Sequence, residues 1–340
     1  MAFGPGRVNL IGEHTDYNAG LSLPFAIEAG VTVVATSHEG DDIEVRALDA
    51  GEDDRFAPSD PPPAQGWRAF VRGTVAELRA AGIPVPPSRI EFSGTVPQGS
   101  GLSSSAALEA ALCLAMAALA GVDDPDRMQL ARLSSRVENQ WVGARTGLLD
   151  QIAALLGSEG HGLRVDFRSL DVERVPLQTG DWRIVVLDSG ASHSHAESGY
   201  NERRRECEEA CRALGVESLR EATADAAASL PEPLRARARH VVEENERVEA
   251  TVAALRDGDL TAVGALLDAS HASLRDLYEV STPEVERTVQ ALRDAGAAGA
   301  RIVGGGFGGH VLALLPPGAV PPDGVLDVRP AAGARVLEAG

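Results

Sequence analysis

"VPQGSGLSSSAALEAAL" runs from Val96 to Leu112. An apolar lead-in meets Gly99, Ser100, Gly101 and Leu102, then three consecutive serines, Ser103, Ser104 and Ser105, and then an Ala/Leu-rich run of helical character. Glycine admits positive φ and lets the backbone approach a ligand closely. A helix start presents unpaired N–H groups at the positive end of its dipole. The pattern predicts a main-chain cradle for an anion such as phosphate, with serine hydroxyls as extra donors and one of them able to ligate Mg²⁺. A capped helix after a flexible turn is the plainer reading, but one serine would serve for that.

Outward from this stretch, the chain reads as two α+β halves. Strands are expected at Val31–Thr36, Ile43–Leu48 and Arg89–Gly94, and helices at Trp67–Ala81, Ser104–Ala120 and Arg127–Gly143. A second alternation opens with the strand in "WRIVVLDSG" near Trp182. Long amphipathic helices follow at Asn201–Leu214, Pro233–Asp257, Leu260–Leu277 and Pro283–Ala295. "ARIVGGGFGGHVLALL" (Ala300–Leu315) reads as two strands joined by a glycine-dense turn. The boundary is expected near Leu177–Asp181, giving units 1–178 and 179–340.

The length of 340 residues fits two domains, and 44% apolar with 24% charged residues fits a folded globular chain. With aromatics at 4%, Ala, Leu and Val must carry the packing. A net charge of −19 opposes nucleic acid or an anionic membrane as partner, so positive potential must be local. All 31 basic residues are arginine. The absence of lysine excludes a Walker-type P-loop, a protein-kinase strand lysine and Schiff-base chemistry. Cys113, Cys207 and Cys211 suit a reducing compartment. Cys207 and Cys211 make half a metal site at most, with no second pair at zinc spacing. Without a basic region followed by an apolar core at the N-terminus, and with no apolar stretch long enough to span a bilayer, a cytoplasmic monomer is expected.

A second polar concentration lies in "GRVNLIGEHTDYN" (Gly6–Asn18), where Glu13, His14, Thr15 and Asp16 follow a short apolar run. A loop can aim adjacent side chains at one ligand. Carboxylates accept and an imidazole donates or accepts, which suits a polyol. A metal site is the rival, though adjacent Glu13 and His14 are poorly placed to share one ion.

These segments resemble a known family. "GRVNLIGEHTDYNAGLSLP", "PQGSGLSSSAALEAAL" and "GGGFGGHVLAL" are similar, in order, to the three signature motifs of the GHMP small-molecule kinases, the first in the form found in galactokinases. The resemblance continues through "TGLLDQIAALLG", "DSGASHSHAESGYNERRRECEEA", "RARHVVEENERVEATVAALRDGDL" and "ASHASLRDLYEVSTPE", nearly the whole chain. It implies a ribosomal-S5-like N-terminal α+β domain, a ferredoxin-like C-terminal one, and an active site in the cleft between them. The implied reaction is transfer of a phosphoryl group from ATP to O1 of a sugar, galactose first. N-acetylgalactosamine, arabinose, mevalonate or a non-catalytic sugar sensor are the alternatives.

By the same resemblance, Glu13, His14, Asp16, Gly147 and Tyr200 match sugar contacts, and Asp150 matches the catalytic aspartate. Arg7 matches the arginine beside that aspartate and the transferring phosphoryl group. Ser105 and Glu138 match Mg²⁺ ligands, with Ser104 a rival for the serine role, and Trp67 matches an aromatic near the adenine, where core packing competes. On residues alone, Asp150 could equally cap the helix Gln151–Leu156, and Glu138 could lie on a solvated helix face. Thr146, Leu149, Asn201 and His310 depart from the family's usual residues, and the family's further leading segment ahead of Arg7 is not seen in this sequence.

Overall fold

The computed structural model describes residues 1–96, 101–144, 146–191 and 196–337. Gly99 and Ser100 of the predicted anion loop lie outside the described residues. The first half runs β1 (Ala2–Asn9), β2 (Leu21–Ser22), β3 (Pro24–Ser37), β4 (Ile43–Ala47), β5 (Glu52–Phe56), α1 (Trp67–Ala80), β6 (Ser88–Gly94), α2 (Ser104–Leu119), α3 (Arg127–Arg136), α4 (Leu149–Leu156), β7 (His161–Asp166) and β8 (Asp171–Pro176). The second half runs β9 (Arg183–Asp188), α5 (Ala196–Leu214), α6 (Ala224–Ala228), α7 (Leu234–Asp257), α8 (Leu260–Asp276), α9 (Pro283–Asp294), β10 (Gly299–Ile302), β11 (His310–Leu315), β12 (Leu326–Val328) and β13 (Arg335–Val336).

Three sheets organise these elements. The largest has the order β13-β1-β3-β6-β4-β5, the second β10-β11-β9-β12, and the third β2-β7-β8. Helix α2 packs on β1 and β3. It is buried on all sides from Ala106 to Ala117, which explains its Ala-rich composition: small side chains let backbones approach. Gly4 of β1 shows how close, since a Cβ there would collide with the Ala107 carbonyl. Two strands without clear alternation, β7 and β8, form a hairpin that the sequence pattern does not reveal.

The expected boundary falls in the connection from β8 to β9. Two findings modify the picture of two separate halves. First, the terminal residues return to the first sheet: β13 pairs with β1 through Ala2–Val336 and Phe3–Arg335, and Ala331 N–H donates to the Ala26 carbonyl at 2.8 Å. Unit 179–340 therefore does not stay apart from unit 1–178; an edge of β1 was open, and backbone groups there need partners. Second, one apolar cluster joins Val8, Leu10, Ile11 and Phe25 to Val248, Val252, Leu267 and Leu312. The halves share a core, so the loop after β1 is built against α7 and α8 rather than projecting from one half. Among the described residues, no helix is long and apolar enough to cross a membrane.

Candidate active site

β1 delivers the first groups. Its Arg7 N–H donates to the Leu102 carbonyl at 3.1 Å, which ties the strand to the loop before α2. Arg7 Nη1 donates to the Gly101 carbonyl at 2.5 Å, while Nε and Nη2 donate to the two carboxylate oxygens of Asp150 at 2.7 Å each. Such a two-pronged contact fixes both planes. Asp150 also accepts from Ser103 Oγ. It lies in the first turn of α4, whose N-cap position is Leu148. The carboxylate is thus spent on Arg7 and Ser103, and the capping alternative falls away.

The serine loop behaves differently from a simple cap. Ser103 occupies the N-cap position of α2 in a left-handed conformation (φ 60°) and makes no side-chain capping bond. That region disfavours residues other than glycine, and here it turns the Ser103 hydroxyl toward Asp150. Ser105 Oγ donates to Glu138 Oε1 at 2.8 Å, and Thr146 Oγ1 to Glu138 Oε2 at 2.6 Å. Glu138 is buried, not on a solvated face. It sits where α3 widens into a π-helical turn at Val137–Val142, a deviation often found at functional sites. Burial, with the Asp150 charge adding to it, pushes the Glu138 carboxyl above its ordinary range.

The polar loop after β1 is held from beneath by α7. Gly12 N–H donates to Glu244 Oε1 at 3.0 Å and Leu21 N–H to Asn245 Oδ1 at 2.7 Å, while His240 Nε2 lies 3.2 Å from the Glu13 carbonyl. Thr15 Oγ1 closes the loop internally, donating to the Leu21 carbonyl at 2.7 Å and lying 2.9 Å from the Gly12 carbonyl, to which Ser22 Oγ donates at 2.7 Å. Glu13 accepts on Oε1 from the fully buried Arg301 Nη2 at 2.6 Å and from Gly304 N–H of the glycine turn at 2.8 Å. His14 has φ 61°, and its Nδ1 lies 2.7 Å from the Tyr17 hydroxyl. Burial, with His240 behind it, pushes His14 down to about 3, so the ring is neutral. Burial raises Asp16 to about 6, opposed by the Tyr17 N–H.

Arg7, Glu13, His14, Asp16, Gly101, Leu102, Ser103, Ser104, Ser105, Gly147, Asp150 and Tyr200 all line one cleft of about 450 Å³, together with Val303 to Gly306, Gly308 and Gly309 of the glycine turn. Gly147 lies so close to Asp16 that a Cβ would collide with its carboxylate. Glu138 reaches this group through Ser105 and Thr146. Trp67 is not brought to the cleft. Its indole Nε1 donates to Glu52 Oε2 at 2.9 Å and its half-buried ring meets Phe92 edge-on. His310 is buried at the start of β11 and does not line the cleft.

Comparison with known proteins agrees with this geometry. Residues 1–37 match the galactokinase galactose-binding signature, 69–158 the N-terminal domain of GHMP kinases, and 251–322 their C-terminal domain. The galactokinase of Mycobacterium tuberculosis is 45% identical over 321 residues, covering 92% of this chain and 88% of that protein. This chain belongs to the galactokinase family. The galactokinase of Thermotoga neapolitana is 39% identical over 325 residues, covering 93% of this chain and 89% of that protein. The Lactococcus lactis galactokinase, solved in complex with galactose, superposes with a TM-score of 0.92 at 32% identity, over 99% of this chain and 94% of that one. Mevalonate kinase from Methanococcus jannaschii shares the fold, with a TM-score of 0.70 at 17% identity over 97% of this chain and 98% of that one.

Within this galactokinase-family cleft, sequence reasoning missed the supports. Arg301, His240, Glu244 and Asn245 are buried polar residues that hold the loop after β1. The signal was present in α7: His240, Glu244 and Asn245 fall at helical spacing on the face that also carries Val241 and Val248. Charged and polar groups on a core face are buried only when paired.

Proposed function

We propose that this chain transfers the γ-phosphoryl group of ATP to O1 of galactose, giving galactose 1-phosphate and ADP. One observation carries the reading: the Arg7–Asp150 pair, the serine loop and the Glu13–His14–Asp16 loop converge on a single cleft. Glu13 Oε2 and Asp16 accept from sugar hydroxyls, His14 contacts another, and Gly147 keeps Asp16 in place because no side chain intrudes there. Tyr200 closes the sugar side. Asp150 orients the anomeric hydroxyl and takes its proton as the O1–Pγ bond forms. The bond from Pγ to the bridging oxygen breaks, and that electron pair leaves on ADP. Arg7 offsets the charge that builds on the phosphoryl oxygens; positioning and electrostatics supply most of the rate in such transfers.

The first N–H groups of α2 and the hydroxyl of Ser104 suit the phosphates of ATP. The donor set at Ser105 and Glu138 suits Mg²⁺: hard oxygens, one of them a buried carboxylate pushed up by desolvation, which a cation would relieve. Ser105 and Glu138 would hold the ion, whose charge screens the phosphate oxygens when bound. Unit 1–178 would supply the phosphate and sugar loops, and unit 179–340 the supports and the glycine turn.

An ADP-release assay with Mg-ATP against galactose, N-acetylgalactosamine, arabinose, glucose and mevalonate tests the reading. Galactose is expected to give the highest kcat/KM. Turnover of another compound with none of galactose would overturn the substrate, and no acceptor-dependent ADP release from any of them would overturn the reaction.

A further inference from the structure

Three consecutive residues before α2 all touch the Arg7–Asp150 pair. The Gly101 carbonyl accepts from Arg7 Nη1 at 2.5 Å, the Leu102 carbonyl accepts from the Arg7 main-chain N–H at 3.1 Å, and Ser103 Oγ donates to Asp150 Oδ2. β1 comes so close here that a Cβ on Gly6 would lie 2.6 Å from the Leu102 carbonyl. Ser105, two residues further on, faces Glu138 instead.

Ser103 holds its place in an unfavourable backbone state. An N-cap serine ordinarily has extended backbone and lends its oxygen to the second or third N–H of the helix. Ser103 has φ 60° and ψ 56°, in the left-handed region, and makes no such bond. A residue with a Cβ keeps that conformation only where its surroundings impose it. Gly101 also has a positive φ, 70°, and there the chain carries the residue suited to it. At position 103 it carries a serine, so the side chain does something that glycine could not. Capping the helix is not that task; the hydrogen bond to Asp150 is the contact its hydroxyl makes.

That bond completes the hold on the carboxylate. Arg7 Nε and Nη2 grip the two oxygens at 2.7 Å each, from β1 and through a long side chain. Ser103 is short, is fixed at the start of α2, and donates from a second element, while α4 carries the Asp150 backbone. A hydrogen bond to a carboxylate is charge-assisted and among the stronger ones. Reacting groups gain most of their advantage from being held in place, and a displacement of about 1 Å can cost about 100-fold in rate.

We propose that Ser103 is a positioning residue for Asp150 and not a phosphate ligand. The loop is thereby divided: residues 101–103 frame the Arg7–Asp150 pair, and Ser104 and Ser105 are left for the phosphates and the metal ion. The inference rests on the reading of Asp150 as the group that orients the anomeric hydroxyl.

The test pairs steady-state kinetics with a crystal structure of the ligand-free protein. Ser103→Gly and Ser103→Ala both remove the hydroxyl, but glycine fits the left-handed backbone and alanine does not. Both should lower kcat by about ten- to a hundredfold, the scale of one hydrogen bond to a charged group, and leave the ATP KM within about twofold. Wild-type kcat in Ser103→Gly would reduce Ser103 to a turn residue, and an ATP KM raised about tenfold with kcat held would make it a phosphate donor. Either result overturns the proposal. In the ligand-free crystal the Ser103 hydroxyl should lie within hydrogen-bond distance of Asp150; a hydroxyl turned to the N–H groups of α2 overturns it whatever the kinetics. Because that structure is read without substrate, absence of galactose-dependent ADP release from the wild-type protein counts against the proposed reaction and leaves Ser103 to its own result.

Discussion

Replacing Arg301 with methionine tests how the sugar loop is built. Arg301 is fully buried on β10. Its Nη1 donates to the Asn9 and Leu10 carbonyls at 2.9 and 2.8 Å, and its Nη2 to Glu13 Oε1 at 2.6 Å. Methionine fills much of the volume but donates nothing. Breaking a buried ion pair by removing one partner costs about 3–5 kcal/mol, because a charge is left stranded. Two carbonyls lose a donor, adding about 1 kcal/mol each. Two features offset this: Gly304 N–H still holds Glu13 Oε1 at 2.8 Å, and Arg301 Nε, which is buried with no hydrogen-bond partner among the described residues, is removed. The net expectation is a loss of about 3–4 kcal/mol. In a Glu13→Gln background no charge is stranded, so the same substitution should cost about 2 kcal/mol less. Urea unfolding of the four proteins of this cycle, compared at midpoint with slopes checked for constancy, reads both numbers. A cost below about 1 kcal/mol, or the same cost in both backgrounds, would refute the view that Arg301 acts through Glu13.

Three further outcomes are expected. Asp150→Asn should lower kcat by about 10²–10⁴-fold, the range of a positioned base, in a steady-state ADP-release assay; near-normal turnover by a folded variant would remove Asp150 from proton transfer. Gly147→Ala places a methyl group against the Asp16 carboxylate, the movable end of a side chain. The galactose KM should therefore rise while the thermal midpoint barely moves, and a large loss of stability would contradict this account. Glu109 is fully buried in α2, and burial raises its carboxyl well above the ordinary range. Because the raised pKa makes the folded state hold this proton more tightly than the unfolded chain does, the group costs stability above the unfolded-state pKa of about 4.3. Glu109→Gln should stabilise the protein at pH 8 and not at pH 4, as read from urea midpoints; an equal effect at both values would show that ionisation is not involved.

Much of the candidate site was legible along the chain because its polar groups sit in consecutive runs. Glu13 to Asp16 and Gly101 to Ser105 come from local stretches whose spacing is fixed by the backbone, and their chemistry can be read from residue type. The helices were legible for a similar reason, since a periodic apolar face needs only its own sequence. Strands β7, β8 and β13 were not, because their pairing partners lie elsewhere and two to six residues carry little periodicity. Glu138 and Trp67 mark the limit for single residues. A lone glutamate on a helix reads as solvated, and only the approach of Ser105 and Thr146 buries it in the site. Trp67 is half-buried, edge-on to Phe92 and bonded to Glu52, and neither partner can be read from its place in the chain.

Read along the chain, the residues offer a lysine-free loop suited to an anion, an acid–imidazole–acid run, and one aspartate beside a turn of helix. Tertiary structure decided which of these groups meet and which way each one faces. Arg7 and Asp150 are 143 residues apart, and Glu13 and Arg301 are 288 apart. A carboxylate or an imidazole acquires its role from the donors around it and from the water excluded from it, and both depend on segments distant in the chain.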